Sequence, residues 1–179
     1  MSLILCPGIH DPALTTAFWE QISSQLPAAL TQSPPFVFPS DRYPPYSPWH
    51  LQTFLQETQP VPPWVLLGFS AGCVAIAGLL PILLCRHVPI VAIFALDAWG
   101  VPFPPNVPVH RLSHDYFTHW SSRLLGGQGD SFYADPPVEH LRLWRSPHTV
   151  NGWQMDTNDQ PHQYTTAAQY LAQYLTQYL

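Results

Sequence analysis

The sequence predicts an α/β protein with one domain over residues 1–179, in which a mostly parallel sheet of about six strands lies between two layers of helices. A chain of 179 residues has the length of one ordinary domain. Hydrophobic residues make up 46% of it, which is enough for a full core. Short apolar runs alternate with amphipathic stretches, a pattern typical of parallel sheets joined by right-handed helical crossovers.

Each predicted strand is a short run of apolar residues. Continuous apolar runs are typical of parallel strands that are buried on both faces. The last of these runs instead alternates apolar and polar side chains, as a half-exposed edge strand does. The predicted strands are 2–6, 36–38, 64–69, 89–96, 107–112 and 140–145.

Each predicted helix carries a start signal, a stop signal or helical spacing of its apolar residues. Asp11 followed by Pro12 is an N-cap with proline at the first helical position, and Pro27 ends or kinks that helix. Gly126 and Gly127 terminate a later helix, and the final one has apolar side chains at helical intervals. The first predicted helix begins at residue 12, and the others span 49–57, 71–84, 116–125 and 165–179.

Charged residues are few, and none of them is lysine. Charged residues make up 9% of the chain, and all six basic residues are arginine. A Schiff-base lysine, the lysine of a P-loop and the catalytic lysine of a protein kinase are therefore excluded from this chain. The arginines are scattered and the net charge is −5, so we expect no nucleic-acid partner.

The cysteines and the N-terminus favour a cytoplasmic protein. The chain has three cysteines, an odd number, and each lies in apolar sequence: Cys6, Cys73 and Cys85. This predicts reduced core thiols rather than a set of disulfides. The N-terminus lacks the basic start and the long apolar run of a signal peptide. Residues 64–85 carry no charge, but their glycines and an internal proline favour a strand, a turn and a helix over a membrane span. The sequence does not define the oligomeric state.

The strongest motif is Gly68-Phe69-Ser70-Ala71-Gly72. An apolar strand precedes it and an apolar helix follows it, which is the setting of a nucleophile elbow. Glycine is needed on both sides because side chains there would collide with neighbouring backbone. The serine would lie at a helix N-terminus, where backbone N–H groups and the helix dipole favour negative charge.

A nucleophilic serine needs a base, and the base needs an acid to orient it. Ligand and catalytic groups gather at the carboxyl edge of open α/β sheets. His148 follows the last predicted strand and is our candidate base. Asp97 and Asp115 each end a predicted strand at that edge and are the two candidate acids, while His10 and His114 lie where they would line the site.

Ser70, Asp115 and His148, in this order along the chain, make the sequence resemble the α/β-hydrolase superfamily, in particular small lid-poor bacterial serine hydrolases. The resemblance implies an α/β-hydrolase fold without a cap domain. It favours Asp115 as the acid, with Asp97 as the alternative used by some members of the family.

The resemblance also predicts the rest of the site. It implies an oxyanion hole made by the backbone N–H groups of Ile9 and Ala71, although Pro7 stands where the family has histidine. The segment after Asp97 has no helical pattern, so the expected site is shallow and open. Its predicted substrate-binding residues are His10, Trp99, Phe103 and Tyr116.

These observations predict a serine hydrolase without metal or cofactor that cleaves a carboxylic ester or thioester of a small acyl substrate. The alternative is a catalytically silent scaffold that keeps the fold and receives a partner on its aromatic surface. A metal site of His110, His114 and His119 is disfavoured, because the first two would lie about 13 Å apart along a strand.

Overall fold

The computed structural model describes residues 1–127 and 129–179, which contain eight strands and six α-helices. The strands are β1 (Ser2–Cys6), β2 (Phe36–Val37), β3 (Trp64–Phe69), β4 (Ile90–Leu96), β5 (Val109–Ser113), β6 (Ser131–Ala134), β7 (Asn151–Met155) and β8 (Pro161–Thr166). The helices are α1 (Pro12–Ser23), α2 (Pro48–Thr58), α3 (Ala71–Cys85), α4 (Tyr116–Arg123), α5 (His140–Arg145) and α6 (Ala167–Tyr178).

All eight strands form one sheet in the order β2-β1-β3-β4-β5-β6-β7-β8. The pairings from β2 to β6 are parallel, whereas β7 and β8 join the sheet antiparallel. The predicted α/β class with a mostly parallel sheet is confirmed. The sheet has eight strands rather than about six, because β6 has only four residues and β7 and β8 are rich in polar residues, so that none forms a long apolar run.

The predicted strand at 140–145 is wrong, because these residues form helix α5. Alternation over six residues cannot separate a strand from a short helix when the buried side chains are few. In α5 the adjacent residues Leu143 and Trp144 are both buried, which a half-exposed strand does not allow.

Helices cover both faces of the sheet, because side chains alternate along its central strands. Leu3 and Leu5 of β1 face one core, to which α1, α5 and α6 contribute apolar side chains. Ile4 and Cys6 face the other core, which is completed by α2 and α3. The central strands are thus buried on both faces.

The residues 64–85 form a strand, a turn and a helix, as predicted. Within the described residues, no helix combines the length and the apolar character needed to cross a membrane. The expectation of three core thiols is corrected at one position: Cys6 and Cys73 are buried, but Cys85 is exposed at the end of α3.

His110 lies in a buried polar cluster beneath α6. Its ring stacks on Phe94 with centroids 5.0 Å apart, and its Nε2 lies 3.0 Å from the hydroxyl of Tyr178. Its Nδ1 lies 3.2 Å from the carbonyl oxygen of Asp130. Burial lowers the pKa of His110 to about 4, so the folded protein holds this imidazole neutral well below its ordinary titration range.

We expect His110 to make the protein acid-labile. His110 takes up a proton near pH 6.5 in the unfolded chain and only near pH 4 in the folded chain. Its contribution to the free energy of unfolding is therefore fully present above pH 6.5 and is lost as the pH falls towards 4. The loss amounts to about 3 kcal/mol. Urea unfolding of the wild type and of His110→Phe between pH 7 and 4 should show this difference in pH dependence. The matched change His162→Phe, at an exposed histidine, should leave the wild-type pH dependence intact.

Candidate active site

Ser70 occupies a sharp turn between β3 and α3. Its backbone has φ 51° and ψ −114°, a region that residues with a side chain rarely adopt and that costs about 1–3 kcal/mol. The turn is held in place because the Ser70 N–H donates a hydrogen bond of 2.9 Å to the carbonyl oxygen of Leu96. Ser70 is also the N-cap residue of the 15-residue helix α3, whose dipole favours negative charge at this point.

The two glycines of the motif allow the turn to pack closely. A Cβ on Gly72 would lie 1.9 Å from the carbonyl oxygen of Cys6, at the end of β1. A Cβ on Gly68 would lie 2.9 Å from the Sγ of Cys73. Only glycine at position 72 lets the first turn of α3 approach the backbone of β1, and this approach sets the position of Ser70.

Ser70 lines a pocket of about 560 Å³ at the carboxyl edge of the sheet. One part of its wall is polar and another is apolar, so that it offers both reactive groups and a surface for hydrocarbon. The polar lining residues besides Ser70 are Asp97, His114, Asp115, Thr118 and His140, and the apolar ones are Ala71, Val74, Trp99, Val101 and Phe117.

Asp97 is the buried anchor of the polar wall. It follows β4, is 5% exposed, and its N–H donates a 2.8 Å hydrogen bond to the carbonyl oxygen of Leu112. Its Oδ1 accepts a hydrogen bond of 2.8 Å from the backbone N–H of His114. Its Oδ2 lies 2.8 Å from Nδ1 of His140. With Nδ1 as the donor, the His140 ring carries its acceptor lone pair on Nε2.

An aromatic stack holds the ring of His140. The imidazole stacks on Phe69, with centroids 4.8 Å apart and planes at 20°. Phe69 stacks in turn on Trp144 at 5.0 Å, and Trp144 stacks on Phe18 at 3.7 Å. Because Phe69 immediately precedes Ser70 in the chain, one packed unit supports both the serine and the histidine.

His114 lies between two carboxylates. Its Nδ1 is 3.1 Å from Oδ2 of Asp97, and its Nε2 is 3.6 Å from Oδ2 of Asp115. The contact with the Asp97 carboxylate raises the pKa of His114; partial burial opposes this effect, and the charges of Asp97 and Asp115 add to it.

The predicted base His148 does not reach this pocket. It is exposed on a short helical turn after α5, and its Nδ1 contacts the side-chain oxygen of Gln21 on α1. The histidine that does share the pocket with Ser70 and hydrogen-bonds to a carboxylate is His140.

Both predicted acids line the pocket, but they differ in their partners. Asp115 is the N-cap of α4 and accepts a hydrogen bond of 2.6 Å from the N–H of Thr118. Partial desolvation would raise the pKa of the Asp115 carboxyl, but the bonds from Thr118 and the nearby His114 outweigh it and lower the pKa. Asp97 is the carboxylate that contacts His140.

The structure brings only some of the predicted wall and oxyanion residues to the pocket. Trp99 and Ala71 line it. Phe103 is instead buried, 4% exposed, with the guanidinium of Arg111 lying 5.2 Å above its ring. Tyr116 is exposed and packs against Tyr133.

His10 and Ile9, on the loop after β1, are not among the lining residues. The His10 ring lies 5.7 Å from both Phe69 and Trp144, and burial lowers its pKa. Ile9 is 77% exposed. The neighbouring Gly8 packs against the turn, since a Cβ there would lie 3.3 Å from Cβ of Ser70.

Sequence reasoning missed His140 because it placed this residue at the start of a strand. Two signals indicate the helix instead: Glu139 precedes it, and Arg142 and Arg145 lie in its last turn, where cations oppose the negative end of the helix dipole. A helix there would have placed His140 in a loop-to-helix junction at the carboxyl edge of the sheet.

His110, His114 and His119 lie in three different environments. His110 is in the cluster beneath α6, His114 lines the pocket, and His119 is buried with its Nε2 3.1 Å from the carboxylate of Asp159. These three side chains, which sequence analysis disfavoured as a metal site, therefore do not meet at one point. Among the described residues, Asp97, His114 and His140 are the group of histidine and acidic side chains close enough to share an ion.

No protein-family model matches the sequence, and no curated protein matches it. Solved structures do match, among them the thioesterase domain SrfTE, whose structure is described as the basis for cyclisation of the lipopeptide antibiotic surfactin. That match has a TM-score of 0.54 and 15% sequence identity, and it covers 98% of this chain and 91% of that chain. The chain therefore has the fold of an α/β-hydrolase.

We expect Gly72→Ala to destabilise the protein strongly, because its methyl group would overlap the carbonyl oxygen of Cys6. Overpacking of this kind costs about 3 kcal/mol. Gly78→Ala, in the same helix, is the matched control, because its Cβ would meet only side-chain atoms of Pro48, at 3.1 Å, and alanine is the better helix former. Chemical denaturation of both variants measures the difference. Equal stability of the two would contradict a tight contact at Gly72.

Proposed function

We propose that this protein is a serine hydrolase that cleaves a carboxylic ester or thioester, with Ser70 as nucleophile, His140 as general base and Asp97 as the acid that orients it. One observation carries the proposal: Ser70, on its strained turn, lines the same pocket as the hydrogen-bonded pair His140 and Asp97. This assignment replaces the expected base His148 and takes the alternative acid Asp97 instead of Asp115.

In the proposed reaction, the Oγ of Ser70 attacks the acyl carbonyl carbon while Nε2 of His140 accepts the hydroxyl proton. The tetrahedral intermediate collapses, the alcohol or thiol leaves with that proton, and an acyl-serine remains. A water molecule then attacks the acyl carbon and gives a proton to His140. The second tetrahedral intermediate collapses, His140 returns this proton to the Oγ of Ser70, and the carboxylic acid is released. Asp97 stabilises the imidazolium in both halves of the cycle.

His140 suits the role of base better than His114 does. Both nitrogens of His114 face carboxylates, Asp97 on one side and Asp115 on the other, which favours the protonated imidazolium. His140 contacts Asp97 through Nδ1, and this leaves Nε2 as the proton acceptor.

We assign stabilisation of the oxyanion to the backbone N–H groups of Ala71 and Ile9. Ala71 is the first residue of α3, where N–H groups have no partner within the helix and point towards the negative charge that develops. The packing of Gly8 against Ser70 supports Ile9, because it brings the backbone of the β1–α1 loop beside the nucleophile.

The pocket favours a small acyl group. Its volume of about 560 Å³ and its apolar side chains Val74, Trp99, Val101 and Phe117 accommodate a short hydrocarbon chain. Residues 97–108, between β4 and β5, form turns and no helix, so the approach to Ser70 is open. The likeness to a thioesterase domain makes acyl thioesters a substrate class to test beside oxygen esters.

We expect a fluorophosphonate probe to label the protein at Ser70, because such probes react with activated serines. Labelling should be absent in Ser70→Ala, and mass spectrometry of the peptide that contains Ser70 should locate the adduct. Failure to label a folded wild-type protein would favour the scaffold alternative, and labelling that persists in Ser70→Ala would place the nucleophile elsewhere.

The base and the acid are tested by two matched pairs of variants. His140→Asn and Asp97→Asn should each lower kcat by about 10⁴-fold, because both remove a triad function. His148→Asn should leave kcat near the wild-type value. Asp115→Asn should change kcat less than about tenfold, because asparagine caps a helix as well as aspartate does. Hydrolysis of p-nitrophenyl esters and of acyl thioesters provides the rates. A large loss in His148→Asn or Asp115→Asn, with small losses in the other two, would restore the assignment predicted from sequence.

A further inference from the structure

Three potential metal ligands converge in the pocket beside Ser70. The ligating atoms of Asp97, His114 and His140 all lie within 4.8 Å of one another. Two imidazoles and one carboxylate form a ligand set suited to Zn²⁺. The three residues come from three different segments, after β4, after β5 and at the start of α5, so the arrangement depends on the fold and not on a local motif.

A second observation concerns the Nδ1 atom of His114. It is buried and lies 3.1 Å from Oδ2 of Asp97, an ion-pair contact whose alignment falls short of a hydrogen bond. A bond to a cation would satisfy this buried nitrogen better than the poorly aligned contact with Asp97 does. His140 presents its own Nδ1 to the same carboxylate oxygen at 2.8 Å, so both rings direct a nitrogen to one point.

The two distances from the Asp97 carboxylate are close to those of a tetrahedral zinc site. Zinc bonds of about 2.0–2.2 Å to nitrogen and oxygen place neighbouring ligands roughly 3.4 Å apart. The observed separations from Oδ2 of Asp97 are 3.1 Å for His114 and 2.8 Å for His140, so they have to widen by about 0.3 Å and 0.6 Å. The His140 side chain is 47% exposed and that of His114 is 25% exposed, so both rings have room to adjust. The anchor stays in place, because Oδ1 of Asp97 remains bonded to the backbone N–H of His114.

We propose that Asp97, His114 and His140 bind one Zn²⁺ ion and that this ion reversibly inhibits the hydrolase. Zinc would bond to Nδ1 of each neutral imidazole, whose remaining proton then sits on Nε2. A histidine that was protonated beforehand releases one proton to solvent. With its proton on Nε2, His140 is unable to accept the proton of Ser70. The zinc site itself does not depend on the proposed function; only its inhibitory effect does.

Binding is tested on the chelator-treated full chain by calorimetric titration with ZnCl₂ and by the visible absorption of tetrahedral Co²⁺. We expect one ion per chain in the wild type and the same affinity in Ser70→Ala, because Ser70 is not a ligand. His114→Asn and His140→Asn should each weaken binding at least about tenfold, since changes outside the ligand shell already cost 10–100-fold.

Two controls separate this site from adventitious binding. His162→Asn and Cys85→Ser change an exposed histidine and the exposed thiol, and both should bind Zn²⁺ as the wild type does. Zinc should also raise the Tm of the wild type and of both controls, but not that of His114→Asn or His140→Asn. Unchanged affinity in His114→Asn and His140→Asn, or loss of binding in Cys85→Ser, would overturn the proposed site.

The inhibitory effect is tested by ester hydrolysis with increasing ZnCl₂, followed by addition of EDTA. We expect activity to fall with the occupancy measured by calorimetry and to return when the metal is removed. An increase in activity with zinc would overturn inhibition and indicate a metal-activated hydrolase. If the wild type hydrolyses no ester while the binding results hold, the proposed function fails and the zinc site stands.

Discussion

The arrangement of the site depends on one buried carboxylate. Asp97 receives the backbone N–H of His114 on one oxygen and the ring of His140 on the other. A buried charge is costly unless it is paired and hydrogen-bonded. Satisfying Asp97 therefore requires the segment after β5 and the start of α5 to pack against the end of β4. The polar wall of the Ser70 pocket is thus built around the Asp97 carboxylate.

The aromatic stack connects the hydrophobic core to the His140 ring in the pocket. Phe18 and Trp144 belong to the core on the α1 side of the sheet, and Phe69 continues the stack to His140. Stacked pairs contribute about 0.5–1.5 kcal/mol beyond the area that they bury. The orientation of an imidazole that is half exposed therefore rests on side chains that solvent does not reach.

Sequence patterns predicted the elements that consist of long apolar runs. Strands β1 and β3 have the predicted bounds, and the turn at Ser70 joins a strand to a helix as expected. The last third of the chain was predicted poorly, because β8 is polar and α5 has only six residues. The candidate site residues were likewise predicted well only where they belong to long apolar elements or strong local motifs. Ser70 belongs to a motif with a strong local signal, and Asp97 ends a long apolar strand, whereas His140 reaches the pocket through tertiary packing that periodicity does not encode.

The absence of a helix between β4 and β5 has a kinetic consequence. Enzymes with a lid often turn over no faster than the lid opens. Here residues 97–108 join these two strands without a helix, so no helical cap from this segment has to move before a product leaves. For the proposed hydrolase, we therefore expect acyl transfer at Ser70 to limit the rate, and selectivity to depend on how well the acyl group fills the pocket.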